Sequence, residues 1–107
     1  METIVHKIRL LDIAKAQDFE TWVQTTDYAA CPQLPSVRAF AVHRVSADPQ
    51  APFHYFEVIQ VSDLAAFEKD MATPVFDSLV AAFTGMAEVV EEIGGTRLGA
   101  GYRADEA

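Results

Sequence analysis

The sequence predicts a ferredoxin-like α+β domain with the element order βαββαβ, in which a four-stranded antiparallel sheet carries both helices on one face. Three observations point to this fold class. Four segments are rich in β-branched and apolar residues, two longer segments repeat apolar side chains at helical spacing, and proline or glycine marks the junctions. Because 107 residues with 50% hydrophobic content suit one core, we expect residues 1–107 to form a single domain.

The first strand and the first helix are predicted from periodicity. Residues 3–10 alternate in polarity, and the side chains on one side of the strand are Ile4, His6, Ile8 and Leu10. Asp12 can cap the next helix, whose apolar face carries Phe19, Trp22, Val23 and Thr26. This helix should end near residues 27–28, because two prolines predict a loop over residues 31–35.

The second half of the chain predicts a hairpin, a broken helix and a last strand. Residues 36–45 and 53–61 are rich in strand-forming side chains and make strands two and three. Ser62 or Asp63 can cap a short helix through residue 71, and Thr73 restarts it, which places a break near Ala72. Strand four is expected over residues 88–98, with a bulge or sharp bend at Gly94-Gly95, and residues 103–107 should fray.

Composition limits the partners. The formal net charge of −8 repels phosphate backbones and anionic lipid, so neither nucleic acid nor a membrane surface is expected as a partner. No apolar run approaches the roughly 18–20 residues that span a bilayer, and the N-terminus lacks the apolar stretch of a signal peptide. Cys31 is the only cysteine, which excludes an intrachain disulfide. These features predict a cytoplasmic protein.

The predicted sheet has one face that no helix covers. Strands two and three are apolar on both alternations, so this open face should bury itself against a second copy of the chain. Two such sheets would close a dimeric α/β barrel. A homodimer is therefore expected.

Sequence fingerprints of nucleotide cofactors and common hydrolases, such as a P-loop or a Gly-x-Ser-x-Gly elbow, are missing. The three histidines, His6, His43 and His54, fall on three different predicted strands without short ligand spacing. We therefore expect neither a cofactor nor a bound metal. If the protein is an enzyme, its catalysis would then depend on acid–base side chains in an apolar pocket that fits the substrate.

Two positions are the leading candidates for proton transfer. His6 interrupts the apolar stripe of strand one, and it either donates to a buried carbonyl for structural reasons or lines a cavity, where titration near neutral pH suits catalysis. Asp27 precedes Tyr28 near a helix C-terminus, where the helix dipole disfavours a carboxylate. This conflict favours a role for Asp27 over an ordinary helix end, and the Tyr28 phenol could orient a ligand.

The remaining polar and aromatic side chains are weaker candidates. His54 is a third catalytic candidate, and Glu57 could orient a histidine, although an ion pair with Arg38 or Arg44 is the favoured expectation. Trp22 could wall an aromatic ligand site or simply pack in the core. Cys31 has no activating cation or base nearby in sequence, so a nucleophilic role is not expected.

Residues 27–37, DYAACPQLPSV, followed by Phe40 and by VHRV at residues 42–45, resemble the RedY-like family of the HapK type. The opening IVHKI at residues 4–8 extends the resemblance over nearly the whole chain. The resemblance implies a dimeric α/β barrel that serves natural-product pathways to prodiginine pigments and related indole or pyrrole compounds. It also implies a cofactor-free enzyme that acts by proton transfer, and it strengthens His6 and Asp27 as the groups involved.

Three function classes remain open. In the first, the protein is a cyclase or dehydratase for a small aromatic indole or pyrrole intermediate: His6, Asp27 and His54 would move protons, while Trp22, Tyr28 and Arg38 would orient the substrate. In the second, it is a non-catalytic binding or chaperone protein that protects and delivers an unstable intermediate. The third is a haem-degrading or quinone-forming monooxygenase, because the same fold hosts both.

Overall fold

The computed structural model describes residues 1–104 and confirms the predicted fold class. Strands β1 (Glu2–Leu10), β2 (Val37–Arg44), β3 (Tyr55–Val61) and β4 (Ala87–Thr96) form one sheet in the order β2-β3-β1-β4. All three neighbouring pairs are antiparallel, so β1 and β3 are central and β2 and β4 are edges. Part of the tail that was predicted to fray, residues 105–107, lies outside the described residues.

The first helical region is longer and less regular than predicted. It comprises a 3₁₀ turn (Ile13–Lys15), α1 (Ala16–Trp22), a π-helical turn (Val23–Asp27), α2 (Tyr28–Ala30) and a second 3₁₀ turn (Cys31–Gln33). The Asp12 cap is confirmed, because its carboxylate accepts from the Ala14 N–H at 3.0 Å. The predicted end at residues 27–28 and the predicted loop at residues 31–35 were wrong: Pro32 sits in the first turn of the second 3₁₀ segment, where its missing N–H costs no bond.

The broken second helix is confirmed. In α3 (Leu64–Met71) the Asp63 carboxylate accepts from the Ala66 N–H at 2.8 Å, and in α4 (Pro74–Thr84) the Thr73 hydroxyl accepts from the Phe76 N–H at 3.3 Å. Each cap satisfies a backbone donor that a helix start leaves free. Within residues 1–104, no helix combines the length and the apolar character that a membrane crossing requires.

The core between the helices and the sheet consists of two separate clusters. The first core cluster contains Ile8, Leu10, Phe19, Val23, Tyr55 and Ala87. The second core cluster contains Ile59, Val61 and Phe67. Helix α4 extends along both, because Phe83 packs against the first cluster and Phe76 against the second. Full burial of such a side chain contributes about 1.5–3 kcal/mol, so the two clusters anchor the helices at both ends of the sheet.

Between the clusters, four directly opposed residues cross the sheet on its helix face. This central row consists of Val42, Glu57, His6 and Glu92, one from each strand. Glu92 belongs to it because β4 has an irregularity: Ile8 pairs with Val89 but Lys7 pairs with Glu91, which leaves Val90 as an extra residue. A bulge of this kind reverses the alternation of the residues that follow. Glu92, and not Glu91, therefore faces the helices.

The predicted bulge at Gly94-Gly95 was wrong. Gly94 pairs with Ile4 and Gly95 with Thr3 in regular register, so the strand runs on through both glycines. The sequence feature that indicates the actual bulge is Val89-Val90, where two successive apolar residues break the alternation that a regular edge strand would show.

The opposite, open face of the sheet carries a second continuous row. This apolar row consists of Ala41, Val58, Val5 and Ile93. Beside it, Lys7 forms an ion pair with Glu91 at 3.0 Å.

Candidate functional site

His6 lies in the middle of the central row with a carboxylate on either side. Its Nδ1 is 2.6 Å from Oε2 of Glu57 on β3, and its Nε2 is 2.7 Å from Oε1 of Glu92 on β4. Ionised carboxylates only accept hydrogen bonds, so both ring nitrogens donate and the imidazolium is the form that satisfies both partners. The hydrogen bond to Glu57 raises the pKa of His6, the bond to Glu92 adds to this effect, and burial opposes it.

Asp27 approaches the same row from the helix layer. It ends the π-helical turn, in which the Tyr28 N–H donates to the Val23 carbonyl five residues earlier. Burial, reinforced by the nearby charge of Glu57, raises the pKa of Asp27 to about 7. A carboxyl group in this state exchanges a proton near neutral pH, as general acid–base catalysis requires. The extra residue in the helix is a local irregularity of the type that recurs at functional sites.

The site is partly open to solvent on the β4 side. The exposed fractions of the side chains are 19% for His6 and 13% for Glu57, against 67% for Glu92. In β4 only Ala87 is buried, and α4 contributes no fully buried residue. A small molecule can therefore approach His6 along the helix face of the edge strand β4.

The expected ion pair between Glu57 and Arg38 or Arg44 was wrong. Arg44 instead holds Glu20 of α1, with its Nε 2.8 Å from Oε2, and the Tyr55 hydroxyl donates to the same oxygen at 2.7 Å. Arg44 first and Tyr55 second lower the pKa of Glu20 to about 2. The register between the strands determines which side chain pairs with Glu57, because Glu57 lies directly opposite His6 while Arg44 lies opposite Tyr55.

A cavity of about 460 Å³ lies between the first helical region and β2. Its lining consists of Phe19, Glu20, Val23, Gln24, Tyr28, Val42, His43, Arg44 and Tyr55. The Tyr28 hydroxyl accepts from the Val42 N–H at 3.0 Å, which holds the phenol against the edge strand. The cavity adjoins the central row through Val42 but is not lined by His6, Asp27 or Glu57.

The other proposed substrate-binding residues lie apart from the central row. Trp22 is half-buried and packs against the first core cluster, with its ring centroid 6.2 Å from that of Phe19. Arg38 is exposed at an irregularity of β2 and lines a smaller cavity of about 140 Å³ together with Tyr28 and Cys31. Burial, with the charge of Asp27 adding to it, raises the pKa of the Cys31 thiol, which disfavours the thiolate.

His54 is buried away from the central row. Only 1% of the residue is exposed, the Leu10 N–H donates to its Nδ1 at 3.0 Å, and its Nε2 is 3.0 Å from the Asp48 carbonyl oxygen. Because Nδ1 accepts, Nε2 carries the proton and donates it to Asp48. Both nitrogens thus fasten the β2–β3 connection to the end of β1, and neither points at Asp27 or His6. His54 immediately precedes β3 rather than lying within it.

Sequence reasoning found His6 and Asp27 but not the partners that define their chemistry. For Glu57 the sequence favours an ion pair with Arg38 or Arg44 over the contact with a histidine that the structure shows, and Glu92 is not among the predicted site residues. The doublet Glu91-Glu92 after Val89-Val90 is the one signal in the sequence, because a bulge there brings one glutamate to each face. Among residues 1–104, no group of three or more histidine, cysteine or acidic side chains is arranged to hold a metal ion.

Two solved structures of low sequence identity share this fold. SnoaB, a cofactor-independent oxygenase from Streptomyces nogalater, is 20% identical with a TM-score of 0.68, and the match covers 98% of this chain and 97% of that chain. An antibiotic biosynthesis monooxygenase-like protein from Bacteroides thetaiotaomicron VPI-5482 is 18% identical with a TM-score of 0.73, covering 97% of this chain and 95% of that chain. These likenesses concern the fold alone.

A much closer match identifies the family. HapK from Hahella chejuensis is 60% identical, with a TM-score of 0.97, and its crystal structure matches over 98% of this chain and 100% of that chain. No curated protein sequence matches the chain. The family model described as REDY-like protein HapK matches residues 2–98. This chain therefore belongs to the REDY-like HapK family.

Proposed function

We propose that this protein is a cofactor-independent cyclase or dehydratase that moves protons on a small aromatic indole or pyrrole intermediate of natural-product biosynthesis. The observation that carries the proposal is the position of His6 between two carboxylates, one of which, Glu57, is near enough to Asp27 for its charge to help burial raise the pKa of Asp27 to about 7. Such a set offers a cationic proton donor and a carboxyl group that is easily protonated, within one site. Membership of the HapK family supports the assignment to secondary metabolism.

The residues have distinct roles in this proposal. His6 protonates the departing or developing oxygen of the substrate, and Glu57 fixes the imidazole through Nδ1 and stabilises its charge. Asp27 accepts or returns a proton on the helix side of the substrate ring. Tyr28, which borders the neighbouring cavity, orients the aromatic body.

Single substitutions that keep side-chain shape test this mechanism. In His6→Gln and Asp27→Asn we expect turnover of a pathway intermediate to fall by about 100-fold or more, the usual contribution of a general acid or base. Glu91→Gln is the matched control, because Glu91 pairs with Lys7 on the open face. Circular dichroism and thermal unfolding verify that each variant is folded. Full turnover in both His6→Gln and Asp27→Asn would rule out the assignment.

We also propose that the protein works as a homodimer through the open face of the sheet. The apolar row of Ala41, Val58, Val5 and Ile93 crosses all four strands of this face, and Ile93 is 48% exposed in the single chain. A contiguous apolar surface of this kind favours a partner of the same shape. Sedimentation velocity at micromolar concentration should give a dimer, and a monomer would contradict the proposal. The absence of nucleic-acid partners and the cytoplasmic location stay predictions from the sequence.

A carrier that protects an unstable intermediate is the second candidate. The cavity of about 460 Å³ favours it, because aromatic side chains line this cavity and the His6 group does not. In this case an aromatic intermediate would bind there, and substitution of His6 would leave both its affinity and the product distribution unchanged. Val42→Trp narrows the cavity without touching His6. A loss of binding in Val42→Trp together with full function of His6→Gln would favour the carrier over the enzyme.

A further inference from the structure

The two carboxylates that hold His6 are attached to the protein in different ways. Glu57 lies on the central strand β3 and is 13% exposed, whereas Glu92 lies on the edge strand β4 and is 67% exposed. In β4, every residue after Ala87 is exposed. Exposed ion pairs contribute little because water competes for both partners, so the bond from His6 to Glu92 is the weaker of the two.

The occupied ring nitrogens create a requirement for catalysis. While Glu57 and Glu92 both accept from the imidazolium, His6 has no N–H left for a substrate. One bond must open before a proton can leave the ring. Glu57 is enclosed, and its charge is one of the causes of the raised pKa of Asp27, so losing its partner would leave a poorly hydrated carboxylate. Glu92 can turn into solvent without that cost.

We propose that Glu92 is a displaceable positioning residue, which occupies Nε2 of His6 in the empty site and yields this position to an oxygen acceptor of the substrate. This inference rests on the proposed function, in which His6 donates a proton. Because Nε2 donates, the incoming group is a carbonyl or hydroxyl oxygen, carried by an aromatic ring. When the proton moves, the Nε2–H bond breaks, an O–H bond forms on the substrate, and the neutral imidazole keeps its Nδ1–H on Glu57.

The direction of approach agrees with this chemistry. Glu92 lies on the edge strand β4 and is more exposed than His6, so a ligand that approaches His6 from the β4 edge meets Glu92 first. Helix α4 packs against the two core clusters through Phe83 and Phe76, one on either side of the central row, and none of its residues is fully buried. A role for Glu92 in fold stability alone would give no reason for ligand affinity to change when it is removed.

Ligand titration by NMR on the full chain tests the inference. The probes are indole-3-carbaldehyde, which carries a carbonyl acceptor, and 3-methylindole, which has the same ring without it. In Glu92→Ala we expect indole-3-carbaldehyde to bind about threefold more tightly than in the wild type, the scale of an exposed ion pair. The affinity for 3-methylindole should stay unchanged. Glu91→Ala, on the same strand but facing Lys7, should bind both probes as the wild type does.

The outcomes separate this inference from the proposed function. Unchanged or weaker carbaldehyde binding in Glu92→Ala, or an equal gain for both probes, overturns the role of Glu92 whatever the turnover of the His6 variants. Full turnover in His6→Gln overturns the proposed function instead. Glu92→Gln, which keeps the side-chain size, should give a smaller gain in the same direction. In the wild type the carbaldehyde should shift the ¹⁵N resonance of Nε2 more than that of Nδ1, and the reverse order contradicts the displacement.

Discussion

His6 and His54 both have two hydrogen-bonded ring nitrogens, yet their environments differ in charge. His6 lies between the carboxylates of Glu57 and Glu92 and keeps 19% of its side chain exposed. His54 lies between a backbone N–H of Leu10 and the carbonyl of Asp48 and is 1% exposed. One pair of partners selects the cation, and the other selects a neutral tautomer.

The partners of a histidine, more than its burial, therefore indicate its task. A neutral ring with one donor and one acceptor satisfied is a rigid connector between two backbone segments. A charged ring between two acceptors has a proton to give and a partner ready to stabilise the change. Substitutions of the two histidines and of the side chains around them test this distinction.

The largest effect on stability is expected at His54. His54→Ala removes both hydrogen bonds, leaves the buried Leu10 N–H without its acceptor and opens a cavity beside β1. We expect the free energy of unfolding to fall by about 3–4 kcal/mol, as for combined loss of buried hydrogen bonds and packing. Urea unfolding measures it.

His6→Ala is the matched comparison. It leaves Glu92 hydrated but removes the partner of the enclosed Glu57, so we expect a loss of about 2 kcal/mol, smaller than at His54. Equal losses in the two variants would remove the distinction between a structural and a functional histidine.

The pH dependence of stability should isolate Asp27. Its pKa is about 7 in the folded protein against an ordinary value of 3.8, so the folded state binds more protons than the unfolded state between these values. Stability therefore falls as the pH rises through this window. In Asp27→Asn that part of the fall should vanish, and at pH 8 the variant should be more stable by roughly 1–2 kcal/mol after allowing for partial hydration.

Thermal unfolding of wild type and Asp27→Asn from about pH 4 to pH 8 gives the difference curve, in which the titration of His6 is largely common to both proteins. A stability difference that does not change with pH across this range would show that ionised Asp27 does not destabilise the folded protein.

The two carboxylates of the His6 group should differ in their influence on the ring. Glu57→Gln removes the contact that contributes most to the raised pKa of His6, and Glu92→Gln removes a smaller contribution. Titration of the ring ¹³C–H resonances should therefore show a larger drop of the His6 pKa in Glu57→Gln than in Glu92→Gln. The opposite order would contradict the inference that Glu57 is the fixed partner.

The smallest effect is expected on the open face. Lys7 and Glu91 are 32% and 50% exposed, and their ion pair is 3.0 Å long. Glu91→Gln should change the free energy of unfolding by less than about 0.5 kcal/mol and leave the ring resonances of His6 in place. A shift of those resonances would indicate that the two faces of the sheet are coupled.

Local features of the chain made much of the fold predictable. The alternation of β1, the Asp12, Asp63 and Thr73 caps and the break near Ala72 depend on neighbouring residues, which the sequence displays directly. The π-helical turn at Val23–Asp27 could not be predicted in this way, because it depends on how the helix packs on the sheet. The helix end and the loop after it were misplaced for the same reason.

The candidate site was predictable in its central members and not in its partners. His6 stood out because a polar residue broke an apolar stripe, and Asp27 because a carboxylate lay near a helix C-terminus. Which groups would touch them depends on register between strands that are 51 and 86 residues apart in sequence. The bulge at Val90 shifts that register by one residue, and simple alternation would have turned Glu92 to the wrong face.

Nitrogen-15 NMR of the histidine rings at pH 6.5 shows directly whether His6 is a cation held between two carboxylates. At this pH an ordinary histidine is about half protonated. Because the pKa of His6 is raised, we expect its ring to be mostly cationic with both nitrogens protonated, and we expect Glu57→Gln to shift it toward the neutral form. A His6 ring that is mostly neutral at pH 6.5, or one that does not respond to Glu57→Gln, would contradict this expectation.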